Sequence, residues 1–288
     1  MFHFKTYSAV IVIGLLAACG GGGGGGPETV FTYQTLESEV PGTSTIAAAG
    51  LTQSDPSGLP DGTEVQVGTL DRAPRTLSIA GVIVDGIFQQ SDGSWSAGGT
   101  TVSPSELSVF ANTGTYDFFL PVTVDDGDFA GTYIVGVVSR TQDLPTTTGT
   151  VDYTGQARVE GILGSDGVSP GNAFGSDGDL TLTADFANGL VDVVIDELYE
   201  NGMPFDTVRV DDLVISSGAN ATFERTGTGF TSFANGLTPV DPDLGPSTTE
   251  SASGAFFGGD PNGPVEAGGV FSVNGANGNT IYGIFAAD

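Results

Sequence analysis

The side chain best equipped for chemistry in this sequence is Cys19, the only cysteine, which closes the run Leu16-Ala17-Ala18-Cys19. The only histidine, His3, and the only lysine, Lys5, both precede it. If the chain is cut before Cys19, what remains has no imidazole and no lysine amine. That excludes Ser-His-Asp and Cys-His nucleophiles, Schiff-base chemistry, and zinc, iron or haem held by histidine. A single cysteine also excludes an internal disulfide. What survives is carboxylate chemistry, as a pair of acids flanking a glycosidic bond or a calcium site built from oxygens. Acids gather in Asp125-Asp126-Gly127-Asp128, Asp177-Gly178-Asp179 and Asp241-Pro242-Asp243. None has the calcium-loop spacing D-x-[DN]-x-[DN]-G, and each falls where a turn is expected, so turns are favoured over metal sites. No spacing marks an acid/base couple. The expectation is a protein that is not an enzyme, with no catalytic residue, metal or cofactor.

The elements that position Cys19 support the cut. Lys5 and a short polar run lead into ten apolar residues, 9–18, too few for a helix to cross roughly 30 Å of hydrocarbon. Residues 1–18 therefore read as a signal peptide. The run ending in Cys19 resembles the bacterial lipobox, which implies a thioether-linked diacylglyceryl group on Cys19, cleavage before it and acylation of the freed amine. The other reading is an ordinary secretory peptide with a chance cysteine near its end. Two or more acyl chains bind a membrane stably. Seven glycines, Gly20 to Gly26, follow as a flexible tether, and residues 27–60 read as a loose stalk with one short strand over 29–33. A lipidated tether is thus expected over 19–61.

Beyond residue 18 the chain holds six arginines against thirty-five carboxylates, a net charge of about −29. Nucleic acids and anionic headgroups are recognised by clustered Lys and Arg, so neither is an expected partner. A basic partner or a cation stays open, as does the plainer role of keeping an exported protein soluble.

From residue 62 onward, apolar runs alternate with Gly, Asp, Asn, Pro and Ser clusters, the signature of antiparallel β structure. Candidate strands over 64–70, 75–88, 106–110, 116–124 and 132–140 form a strand-rich domain, 62–144. The polar, proline-bearing stretch 142–148 ends it. Eight more follow within 145–288, over 150–160, 179–186, 190–197, 205–215, 221–226, 251–258, 266–273 and 280–285. Eight strands suffice to close a barrel. The run 180–186 alternates cleanly into Asn188-Gly189, the dipeptide favoured by a type I′ hairpin turn. Val191, Val194, Ile195 and Leu198 also fit a helical stripe, but the Val/Ile content favours a strand.

Three stretches resemble the β-barrel domain of the transferrin-binding protein B family of bacterial surface lipoproteins. Gly149-Thr150-Val151-Asp152-Tyr153-Thr154-Gly155 is similar to the barrel-opening strand. Gly178 to Gly189 is similar to the strand and hairpin that follow. Gly254-Ala255-Phe256-Phe257-Gly258 and Val265-Glu266-Ala267-Gly268-Gly269-Val270-Phe271 are similar to the paired strands near the end. The resemblance implies an all-β fold, an eight-stranded antiparallel barrel preceded by a smaller handle, with Phe186, Phe256 and Phe271 filling the lumen or packing beneath the handle. It further implies a lipid-anchored, surface-exposed outer-membrane protein that captures an iron-carrier protein or other solute for uptake, with an outer-membrane transporter as a further partner. The family's binding residues lie in variable loops, so none is carried over. Two other readings stand beside it. One is a structural or adhesive surface protein, with Trp95 as a contact anchor or a packing residue. The other is an integral outer-membrane barrel, which the lack of an apolar band with aromatic girdles disfavours.

Overall fold

The computed structural model describes residues 31–36, 38, 40–52, 59–60, 62–71, 76–79, 82–85, 88–89, 95–97, 100–102, 116–125, 130–146, 149–163, 172–200, 203–204, 207–233, 249–260 and 262–288. Cys19, the glycine tether, the strand expected over 106–110 and Asp241-Pro242-Asp243 lie outside them. Residues 31–35 form no strand, although one was expected over 29–33.

The first strands are β1 (Thr43–Thr52), β2 (Gly62–Asp71), β3 (Thr76–Ile79) and β4 (Val82–Asp85). A small antiparallel sheet follows, β5 (Phe88–Gln89), β6 (Trp95–Ala97) and β7 (Thr100–Val102). Next come β8 (Phe119–Asp125) and β9 (Ala130–Val137), which join the first four in a six-stranded sheet ordered β4-β3-β2-β1-β9-β8. β1 runs inside the stretch expected as stalk. Its Ala47-Ala48-Ala49-Gly50 centre reads as unstructured, yet small side chains are what let it lie between β2 and β9 with Ile46 to Gly50 all buried. The single strand expected over 75–88 is instead the hairpin β3–β4, with Ile79 opposite Val82. Trp95 lies on the middle strand of the small sheet.

The remaining strands are β10 (Val151–Leu163), β11 (Asn172–Asp185), β12 (Leu190–Asp196), β13 (Tyr199–Glu200), β14 (Met203–Pro204), β15 (Val208–Ile215), β16 (Thr222–Gly227), β17 (Thr231–Phe233), β18 (Thr249–Phe257), β19 (Glu266–Asn274) and β20 (Thr280–Ala287). Eight of these close into an antiparallel ring, β10-β11-β12-β15-β16-β18-β19-β20 and back to β10. They are the eight strands expected from the sequence. β13 and β14 form a separate hairpin, and β17 resumes the line of β16 alongside β15. Among the described residues helical structure is confined to two single 3-10 turns, Thr141–Asp143 and Ala276–Gly278. The segment that also fitted a helical stripe is strand β12.

Side-chain alternation explains which wall faces what. On β10 to β12, Tyr153, Val159, Leu182, Val193 and Ile195 point into the lumen, while Asp152, Asp179 and Asp196 face water. β18 to β20 are buried on both faces instead, because each feeds two cores. Their inward set, including Phe256, Phe271 and Phe285, fills the lumen. The outward set, Ala255, Phe257, Val270, Ile284 and Ala286, packs against Ala47, Leu51, Phe119, Ile134 and Val138 of the handle. A strand covered on one face alternates and a strand covered on both reads as nearly continuous apolar sequence. Phe256 and Phe271 therefore occupy the lumen, and Phe186 packs against it, 5.1 Å from the Phe256 ring.

Handle and barrel share backbone as well as side chains. Past β9 the chain continues onto the barrel: Ser139 N donates to Phe256 O (2.9 Å), Gly258 N to Val137 O (2.9 Å) and Ala221 N to Ser139 O (2.8 Å).

Candidate functional site

The up-and-down path fixes which connections meet at each end of the barrel. The loops 186–189, 216–221 and 258–265 lie at the end where β10 begins and β20 finishes. Across this end runs the stretch 138–146 that links handle to barrel. It is held there by Thr141 N donating to Ala219 O at 3.0 Å.

Arg140 opens the 3-10 turn and Asp143 closes it, so the three-residue spacing stacks one above the other. Arg140 donates from Nε and Nη2 to the two carboxylate oxygens of Asp143, at 2.6 and 2.8 Å. Tyr33 arrives from far earlier in the chain: its hydroxyl donates to Asp143 Oδ2 at 2.5 Å and accepts from Arg140 N at 2.8 Å. Burial pushes the Asp143 carboxyl up, but the Arg140 guanidinium and the Tyr33 hydroxyl outweigh it and hold it below the usual range. Burial also raises the Tyr33 hydroxyl, which stays protonated as a donor. This network ties Tyr33 to the stretch that crosses the end of the barrel. Tyr33→Phe removes a donor and an acceptor together, and is expected to cost about 1–2 kcal/mol in urea denaturation.

Two open grooves flank Thr141. One, of about 550 Å³, is lined by Thr45, Arg140, Gln142, Gly218, Ala219 and Asn220. The other, of about 360 Å³, is more apolar, with Leu144, Pro145, Phe186 and Ile215. The Thr141 hydroxyl between them is buried and has no hydrogen-bond partner among the described residues. The lumen itself is filled by the ring cluster Tyr153, Phe186, Phe223 and Phe256, with centroids 5.1 to 5.8 Å from that of Phe256.

The acid motifs resolve differently from the expectation. Asp177-Gly178-Asp179 is not a turn but the middle of β11. Asp177 takes a salt bridge from Arg158 on the neighbouring strand at 3.0 Å, and Gly178 leaves room for Leu198, whose Cδ2 would lie 2.8 Å from a Cβ there. Of Asp125 to Asp128, only Asp125, the last residue of β8, is described. Among the described residues no three His, Cys, Asp or Glu side chains group as a metal site. The hairpin after β11 forms, but its loop has four residues, 186–189, and only Gly189 takes a positive φ (+69°). A two-residue type I′ turn needs two such residues. Asp185 accounts for the difference: its carboxylate accepts from Asn188 N (3.0 Å) and Asn188 Nδ2 (2.6 Å), which closes a wider turn. Sequence reasoning passed over Tyr33, Arg140 and Asp143. The i,i+3 Arg–Asp spacing was the available signal.

No protein-family model matches the sequence, and no curated protein is significantly similar to it. Solved structures do resemble it. Transferrin Binding Protein B from Haemophilus parasuis Hp5, as its Trp-176-Ala mutant, superposes with a TM-score of 0.46 at 14% identity, covering 84% of this chain and 44% of that one. The isotype 1 protein from serogroup B Neisseria meningitidis gives 0.46 at 17% identity, over 85% of this chain and 43% of that one. HpuA from Kingella denitrificans, in complex with human haemoglobin, gives 0.37 at 13% identity, over 88% and 90%. The chain spans less than half the length of the two transferrin-binding structures. The relationship is structural, and the family whose strand pattern the sequence resembles is among these neighbours.

Proposed function

We propose that this chain is an outer-membrane lipoprotein, anchored through Cys19 and exposed at the cell surface, whose barrel and handle hold a protein partner. The observation that carries the reading is the filled lumen. A barrel packed by Phe223, Phe256, Phe271 and Phe285 has its interior spent on stability, so a partner is met on loops and outer walls. Those walls belong in water: on β10, β11, β12, β15 and β16, the exposed positions include Asp152, Asp179, Asp196, Asp212 and Glu224. A charged wall of this kind is unsuited to lipid, which leaves the acyl chains on Cys19 as the means of attachment. A net charge of about −29 beyond residue 18 favours a partner with a basic face. An iron-carrier protein, passed on to an outer-membrane transporter, is the class that the sequence resemblance implies.

Cys19→Ser is the direct test of the anchor. The variant is expected to leave the membrane fraction, and the native chain to gain the mass of its acyl groups. Protease added to intact cells is expected to degrade the native protein. Purified protein, offered transferrin, haemoglobin and small growth-medium solutes in turn, is expected to bind a protein saturably and less tightly as salt rises. Protection from protease until lysis, or no saturable binding to any protein, refutes the capture reading. Lost adhesion with normal uptake in a deletion strain would favour a structural role instead.

A further inference from the structure

The more apolar of the two grooves at the barrel end is lined by Leu144 and Pro145 of the linking stretch and by Phe186 and Ile215 of the barrel. Leu144, Phe186 and Ile215 pack against the lumen cluster and stay partly exposed. Val151, which begins β10 opposite Ala184, adds an apolar side chain, 36% exposed, at the same end. This mouth is thus apolar where the outer wall is charged. Its walls are also fixed in place. Thr141 N and Ile215 N donate to Ala219 O and Gly189 O at 3.0 and 2.9 Å, Leu144 N donates to Thr141 O at 3.2 Å, and the Asp185 carboxylate holds Asn188. A site that needs no ordering on binding keeps more of its contact energy.

The rim sets the charge of what enters. Asp185 directly precedes Phe186, and exposed Asp152 directly follows Val151. Exposed Asp260 pairs with Gly263, where a Cβ would lie 2.7 Å from Pro145 Cγ. The cation at this end, among the described residues, is Arg140, and Asp143 already pairs it. Thr141 lines this groove and its neighbour, and its hydroxyl is buried without a partner among the described residues. A polar group in that state gains from a ligand that brings a donor or an acceptor, and a peptide backbone carries both. The groove lies open, and small ligands are held in clefts that enclose most of their surface, so its shape suits a loop carried by something larger.

Resting on the capture reading above, we propose that this groove is where the partner protein docks, taking a surface loop that inserts one apolar side chain flanked by arginine or lysine. The apolar side chain fills the space between Leu144, Pro145, Phe186 and Ile215. The flanking cations meet Asp152, Asp185 and Asp260, and the loop backbone reaches Thr141.

The test is a titration of the intact, isotope-labelled chain with the end-blocked peptide Gly-Ser-Arg-Leu-Arg-Ser-Gly, and with the same peptide carrying Glu for Arg or Ser for Leu. Saturable shifts of the Thr141, Leu144, Ala187 and Gly189 amide resonances are expected, with the Arg-Leu-Arg peptide about tenfold tighter than either relative. Thr146→Arg and Ala187→Arg, at exposed positions lining the groove, are expected to weaken that peptide by about tenfold. Thr226→Arg, exposed near the far end of β16, adds the same charge and is expected to leave it within about twofold. No saturable shift at these amides, or equal binding of the three peptides, overturns the proposal. So does equally tight binding of N-acetyl-leucine amide, which would make the groove a small-solute site. If transferrin or haemoglobin binds the native and groove-variant chains alike, the groove is not the docking site while capture stands. If no protein binds, the capture reading falls and the peptide titration alone decides the groove.

Discussion

Gly254→Val is expected to destabilise the chain by about 3 kcal/mol or more, a large share of the roughly 5–15 kcal/mol that keeps a typical domain folded. A Cβ at this position would lie 2.3 and 2.4 Å from Cε2 and Cζ of Phe223, and 2.6 Å from the backbone oxygen of Gly268. Neither neighbour can give way cheaply. Phe223 is fully buried and packs edge-on against Phe256 at 5.2 Å, which in turn meets Tyr153 and Phe186. The Gly268 carbonyl belongs to the β18–β19 ladder, where Gly254 sits opposite Gly269. Urea denaturation is expected to show a lower midpoint with an unchanged slope. Adding Phe223→Leu should recover only part of the loss, because the carbonyl remains. Gly50 offers the control: its nearest obstacles are all atoms of the Tyr133 ring and none is backbone, so Tyr133→Ala should remove the clash that Gly50→Ala creates. A Gly254→Val variant as stable as the native chain would mean that the rings over the glycines are not what packs the wall.

The same packing explains why so much of the barrel was legible. Phe223 lies over Gly254 across β16–β18, Phe285 over Gly269 and Phe271 over Gly283 across β19–β20. Each ring fills the space that a missing side chain leaves on the facing strand. The spacing of Gly and Phe in 254–258 and 265–271 records those pairings. The strands with one wet face announced themselves by alternation, as in Leu180-Thr181-Leu182-Thr183.

What stayed hidden depended on partners remote in the chain. Asp177-Gly178-Asp179 has the composition of a turn, and its pairing with Gln156, Ala157 and Arg158 on the next strand makes it strand. Ala47 to Gly50 have low β propensity, and they are strand only because β2 and β9 flank them in the sheet, with Ala47 packed against the barrel wall. The Arg140–Asp143 pair could be guessed from spacing, but the Tyr33 hydroxyl that completes it comes from 110 residues away. Glu266 stands in the sequence only as an acid at the start of an expected strand, and its N–H donors lie 149 and 148 residues back.

Glu250→Ala is the second change expected to be costly, by about 3–5 kcal/mol. The reason lies in a break in the barrel wall. β15 pairs with β16 at Val214↔Glu224 and with β17 at Val210↔Thr231, so the stretch from Val210 to Val214 faces the longer stretch from Glu224 to Thr231. The extra residues cannot all join the ladder, and their N–H groups need another acceptor. Glu250, 1% exposed, supplies it: Oε1 accepts from Gly229 N at 2.7 Å, and Oε2 accepts from Phe230 N at 2.9 Å and Thr231 N at 2.8 Å. Successive N–H groups converging on one anion form a nest, here filled by the protein's own carboxylate. Arg225 braces it from outside, with its guanidinium carbon 4.9 Å from the Phe230 ring centroid and Nη1 donating to Asp211 O at 2.9 Å. Alanine leaves three donors without their acceptor. Water can reach the exposed Gly229 but not the buried Phe230 amide, so the cost falls between one and three unmet bonds. Glu250→Gln keeps one acceptor oxygen and is expected to cost about half as much. Urea denaturation reads the totals, and hydrogen exchange at Phe230 and Thr231 reads the site, where protection should drop in the order native, Gln, Ala. A Glu250→Ala chain within about 1 kcal/mol of native, with those amides still protected, would show that the wall closes over the break without this carboxylate.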